Sequence, residues 1–168
     1  MQSGIPYGQA FVKNSYVGRT FIKPKQKNRE SSVQVKLNAL RDAVAGKRVI
    51  MIDDSIVRGT QLKETVDFLY ESGAKAVHMR SACPPIMYSC KYLNFSRGTS
   101  DMELIARRVI MELEGEEGFE HIEEYADETT ERGKNLRKNI SQQMNFSSLE
   151  FQSLENVVKA IGLDPCDL

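Results

Sequence analysis

Apolar positions along this chain switch between two spacings. Residues 9–13, QAFVK, read as a short strand, and Val33, Val35 and Leu37 alternate as a second one would. Leu40 and Val44 follow at helical spacing, and Gly46 closes that segment. Lys47–Ile52 is the most hydrophobic stretch. Its apolar residues fall on both faces, which predicts a central parallel strand covered on both sides. Leu62, Val66, Leu69 and Tyr70 then recur at helical spacing, with Gly73 as the stop. Ala76–Ala82 reads as another strand, ended by Pro84 and Pro85. Strand, helix and strand at this spacing make a βαβ unit, and therefore a parallel sheet.

Beyond it, Ser100-Asp101-Met102-Glu103 fits a capping box opening a helix that carries Leu104, Ile105, Val109, Ile110 and Leu113. Residues 114–145 are mostly polar and read as short helices or a mobile insertion. Ser148–Phe151 suggests a strand and Leu154–Ile161 a helix stopped by Gly162. Residues 14–32 lose all periodicity and are rich in Lys, Arg, Gln and Asn. A loop of this length is usually functional or disordered. Its basic charge suits an anionic ligand, or else it is a solvated linker.

Composition narrows the function classes. The 168 residues are 40% hydrophobic and 27% charged, which suits one soluble domain with a proper core. The formal net charge is zero, so no global field recruits nucleic acid or an acidic membrane. No run of about 18 apolar residues predicts a membrane span, and the start has no signal pattern, so the cytoplasm is the expected location. Cys83, Cys90 and Cys166 are an odd set without a disulfide framework. The opening SGIPYG reads as the middle of a domain, and Cys166 falls just before the end; both ends read as cut.

The chemistry gathers where the apolar run ends, in VIMIDDSIVRGT at 49–60. In a parallel α/β sheet, ligands sit at the carboxyl ends of strands, where Asp53 and Asp54 stand. The loop behind them opens a helix, whose free N–H groups and dipole favour an anion. Ser55 and Thr60 add hydroxyls, and Gly59 allows a phosphate close to the backbone. Adjacent carboxylates need sugar hydroxyls or hydrated Mg²⁺. A phosphorylated sugar satisfies both halves of the motif. A Walker B strand would require G-x-x-x-x-G-K-[ST], which the sequence lacks. A response-regulator receiver would place its acidic pair near the chain start and a phosphoacceptor Asp at a later strand end. Neither is found. An ordinary strand end with solvated acids leaves the company of hydroxyls, Arg58 and Gly59 unexplained.

VIMIDDSIVRGT resembles the phosphoribosyl-pyrophosphate (PRPP) signature of type I phosphoribosyltransferases. Together with YVGRTFI at 16–22 and VKLNALR at 35–41, it is similar to glutamine amidophosphoribosyltransferases. The similarity extends through SACPPIMYSCKY at 81–92 and LENVVKAIGLDPC near the end, and is weakest over 114–145. The resemblance implies an α/β fold, a type I phosphoribosyltransferase-like parallel sheet flanked by helices and incomplete at its N-terminus. It implies a partial domain over 1–168, with a mobile basic loop at 14–36, the PRPP loop at 49–61, a polar insertion at 114–145 and a C-terminal segment at 146–168.

In that family the acidic pair binds ribose hydroxyls with Mg²⁺ nearby, which implies this role for Asp53 and Asp54. The following loop cradles the 5′-phosphate, matching Ser55, Ile56, Val57, Arg58, Gly59 and Thr60. Tyr16, Arg19 and Lys36 match the family's closing loop, which excludes water and helps channel ammonia. One branch holds a [4Fe–4S] cluster. Cys90 and Cys166 match ligand positions, and two thiols are too few for an intact cluster. Cys83 matches none and reads as a buried strand thiol. The implied activity is that of a pentosyltransferase: PRPP and glutamine give 5-phosphoribosylamine, the first step of purine synthesis. The glutaminase domain and the pyrophosphate loop are not in this sequence, so the chain alone is expected to lack glutamine-dependent activity. Purine nucleotides are implied ligands, and a homo-oligomer is implied for the parent enzyme. The alternative is a catalytically incomplete nucleotide-binding or assembly fragment. A stand-alone transferase for a free base would need a pyrophosphate loop and a base-recognising hood, and the sequence has neither.

Overall fold

The computed structural model describes residues 4–8, 11–13, 37–39, 41–92 and 100–162. Two short strands, β1 (Phe11–Lys13) and β2 (Leu37–Ala39), pair antiparallel. A one-turn helix α1 (Arg41–Val44) leads through Gly46, at φ +72°, into β3 (Arg48–Asp53). Helix α2 (Thr60–Glu71) and strand β4 (Ala76–Ser81) complete the βαβ unit that the spacing predicts. Gly73, at φ +95°, ends the helix where the sequence places its stop. The chain then forms α3 (Ile105–Glu114), a 3₁₀ segment over Gly115–His121, α4 (Ile122–Ala126) and α5 (Glu131–Gln143). Strand β5 (Ser148–Phe151) and helix α6 (Leu154–Ile161) close the described chain.

The main sheet is parallel, in the order β3-β4-β5. Its register aligns Met51 with Met79 and Met79 with Leu149 on one face. That face packs under the helices, with Val66 and Leu69 of α2, Val109 and Ile110 of α3, and Leu136 and Ile140 of α5 in one core.

The opposite face corrects an expectation. Strand β3 is parallel, but among the described residues it lies at the sheet edge and one of its faces is open. Ile50 is 42% and Ile52 75% exposed. The helices of the core pack on the other side, through Val49 and Met51, so apolar composition on both faces does not here mean cover on both.

Two further expectations change. Ser100 caps, but its Oγ accepts from Met102 N–H at 3.2 Å and opens a 3₁₀ turn, Asp101–Glu103. The α-helix starts only at Ile105, after an extended Leu104 that lends no side-chain cap. The Glu103 carboxylate pairs with the Arg58 guanidinium of the loop that follows β3. Leu113 is 39% exposed rather than a core residue. Of the two readings of 114–145, helices form: Ile122, Tyr125, Leu136 and Ile140 are buried in the common core. Thr130 Oγ1 caps α5 through Gly133 N–H at 2.9 Å. Cys83 is half-buried and lies past the end of β4, not inside a strand. Leu40, Val33 and Val35 lie outside the described residues.

Candidate functional site

Asp53 is the last residue of β3, level with Ser81 and close to the end of β5. Its carbonyl accepts from Ala82 N–H at 2.9 Å, which anchors the strand end to β4. Its Oδ1 accepts from Asp54 N–H at 3.0 Å. Ser55 Oγ donates to Asp54 Oδ1 at 3.4 Å. Partial desolvation pushes the Asp53 pKa above the usual aspartate range. The bond from Asp54 N–H opposes that, and the like charge of Asp54 adds to it. Among the described residues neither acid has an ion-pair partner. Within the described residues the pair is therefore uncompensated negative charge at a strand's carboxyl end.

The loop behind it divides its side chains between ligand and scaffold. Ile56 is 3% exposed and belongs to the core, so only its backbone can face a ligand. Val57 carbonyl accepts from Ile105 N–H at 2.8 Å. The Arg58 guanidinium pairs with Glu103, and its carbonyl accepts from Arg108 Nη2 at 2.8 Å. Gly59 is buried at φ +79°, and a Cβ there would stand 2.8 Å from Met144 Sδ and 2.9 Å from Ile105 Cδ1. The structure gives this glycine a reason beyond the expected close approach of a phosphate. Its missing side chain makes room for the protein's own core, and its left-handed backbone turns the loop into the helix.

Thr60 opens α2, which has no side-chain cap at its N-terminus. The first-turn N–H groups of a helix lack intrahelical acceptors and carry the positive end of its dipole. One short loop therefore joins two carboxylates to an uncapped helix start. That combination suits a ligand with hydroxyls or a bound cation at one end and a phosphate at the other.

The structure brings Asp53, Asp54, Ser55, Ile56, Val57, Arg58, Gly59 and Thr60 together as that loop. Tyr16, Arg19, Lys36 and Cys166 lie outside the described residues. Cys90 is half-buried. The segment before it is pinned by Asp101, whose Oδ1 accepts from the N–H and Oγ of Ser89, and by buried Arg107, whose Nε donates to Met87 carbonyl at 2.8 Å. Sequence reasoning missed the residues that hold the loop from behind: Glu103, Ile105, Arg108 and Met144. Arg108 and Arg58 are 50 residues apart, and no local pattern announces such a contact. A separate concavity of about 450 Å³ opens near the end of β5, beside Tyr125, Arg137 and Phe151, and shares no residue with the loop.

No family model matches the chain. It is 51% identical over 161 residues to the amidophosphoribosyltransferase of Methanothermobacter thermautotrophicus, a match covering 96% of this chain and 28% of that protein. The amidophosphoribosyltransferase of Synechocystis sp. is 48% identical over 111 residues, covering 66% of this chain and 22% of its own. Among solved structures, the glutamine PRPP amidotransferase of B. subtilis, complexed with ADP and GMP, matches with a TM-score of 0.66 at 38% identity. That match covers 95% of this chain and 29% of the other. The chain thus shares the sheet-and-helix fold of that enzyme, and spans less than a third of the length of each of these relatives.

Proposed function

Because the chain belongs to the amidophosphoribosyltransferase family, we propose that its loop 53–60 is a PRPP site. In this reading Asp53 and Asp54 take the ribose hydroxyls, and the backbone of Ser55–Thr60 with the start of α2 takes the 5′-phosphate. One observation carries it: an acidic pair without a cationic partner among the described residues stands directly before an uncapped helix N-terminus.

The donor set also fits Mg²⁺. Two adjacent carboxylates, one of them with a raised pKa, offer hard oxygen ligands and gain from a divalent cation. Asp53 and Asp54 would hold the ion, which when bound would neutralise charge on the diphosphate. The chain's own residues bind and orient the ribose phosphate.

For the whole protein we propose the reaction of the family, displacement of pyrophosphate from PRPP by ammonia drawn from glutamine. This chain would supply the ribose 5-phosphate half of the site. Tyr16, Arg19 and Lys36 are proposed, on the resemblance of their motifs, to close over PRPP. No four-thiolate cluster is proposed for this chain, whose sequence has three cysteines.

A second reading has its own support. Purine nucleotides carry the same ribose 5-phosphate unit, and the B. subtilis relative is complexed with ADP and GMP. Nucleotide binding without turnover would use the same loop. Calorimetric titration with PRPP and with GMP, each with and without Mg²⁺, separates the two. Mg²⁺-dependent PRPP binding supports the first reading, and GMP binding alone supports the second. Binding of neither overturns the site.

A further inference from the structure

The loop of the proposed phosphate site is held from behind by the start of α3, and Arg108 joins the two. Its Nη2 donates to the Arg58 carbonyl at 2.8 Å, and its Nη1 to the Glu103 carbonyl at 2.9 Å. One residue earlier in the loop, the Val57 carbonyl accepts from Ile105 N–H at 2.8 Å. The Glu103 carboxylate completes the clamp by pairing with the Arg58 guanidinium. Two consecutive loop carbonyls therefore point at α3. In a trans peptide, the carbonyl of one residue and the N–H of the next point in opposite directions. No described peptide is cis, so the N–H groups of Arg58 and Gly59 are turned away from α3.

We infer that Arg108 is a positioning residue for the phosphate site: by fixing the Arg58–Gly59 peptide plane, it aims the Gly59 N–H at the 5′-phosphate. It touches no ligand itself. Its role is preorganisation, which spares binding the cost of ordering the loop. The inference rests on the reading of loop 53–60 as a phosphate site. The buried Gly59 adds to the same effect, because a backbone wedged against Ile105 and Met144 has little freedom to swing.

The test compares wild type with Arg108→Met, which keeps the aliphatic stem, and Arg108→Lys, which restores a charge with a less suitable fork. Two readouts are taken: calorimetric affinity for ribose 5-phosphate with Mg²⁺, and amide hydrogen exchange of the ligand-free chain. Arg108→Met is expected to bind about tenfold more weakly. Its Gly59 and Thr60 amides exchange faster, while those of β4 keep wild-type protection. Arg108→Lys falls between. Equal affinity in wild type and Arg108→Met overturns the inference, as does a rise in exchange spread evenly over the sheet. If wild type fails to bind ribose 5-phosphate, the site reading falls on its own. The exchange pattern then still decides whether Arg108 orders the loop.

Discussion

A Cβ built on Gly59 would stand 2.8 Å from Met144 Sδ, so the hinge of the acidic loop is packed directly against the turn that ends α5. Two costs meet at this position, a left-handed backbone and an overfilled contact. Gly59→Ala should destabilise the fold by about 2–4 kcal/mol. Pairing it with Met144→Ala removes the Met144 part of the clash and leaves the Ile105 contact and the backbone strain. Denaturant melts should therefore give a double mutant less destabilised than the two single changes summed. Additive losses would mean that the two residues do not press on one another.

The raised pKa of Asp53 fixes the sign of a pH effect. The folded state binds this proton more tightly than the unfolded chain does. The carboxylate therefore weakens the fold at neutral pH, and the penalty fades as pH falls through the raised value into the ordinary aspartate range. Asp53→Asn should raise Tm at pH 7, with the gain shrinking in acid, and should abolish Mg²⁺-dependent ribose phosphate binding. A Tm at or below wild type at pH 7 contradicts this.

Asp101 has the opposite sign. The Ser89 hydroxyl bond, ahead of the Arg107 charge, holds its pKa below the usual range. Its contribution is present at neutral pH and lost as pH falls through that depressed value. Asp101→Asn should lower Tm at pH 7 and match wild type in strong acid. An unchanged Tm at pH 7 would remove the Asp101–Ser89 tie from the account.

Among the described residues the sheet is covered on one side, and the two faces make a simple contrast. Met79 is fully buried beneath the helices, and Ile52 is 75% exposed on the open face. Met79→Ala should cost about 2–5 kcal/mol. Ile52→Ser should stay within about 0.5 kcal/mol in this chain. A large loss at Ile52 would mean that the face is covered.

These contrasts mark how far the sequence could be read. The βαβ unit was legible because its signals are local. VIMI is continuous, Leu62, Val66 and Leu69 share a helix face, and Gly73 takes a positive φ. The site loop was legible for the same reason, since Asp53–Thr60 is contiguous. The cover on β3 was not, because apolar composition cannot say which face finds a partner. The helices after Glu114 were half-hidden: their core residues Ile122, Tyr125, Leu136 and Ile140 are sparse among charges. Thr130 before the run was the available signal, as its hydroxyl caps α5. The clamp of Glu103, Ile105 and Arg108 on the loop is purely tertiary.

The central claim is that the loop Asp53–Thr60 binds a ribose 5-phosphate. The direct measurement is an amide chemical-shift titration of the chain with ribose 5-phosphate and Mg²⁺. The account predicts saturable shifts confined to Asp54–Thr60 and the first turn of α2, absent in the double variant Asp53→Asn, Asp54→Asn. Shifts elsewhere, or the same shifts in the double variant, would contradict it.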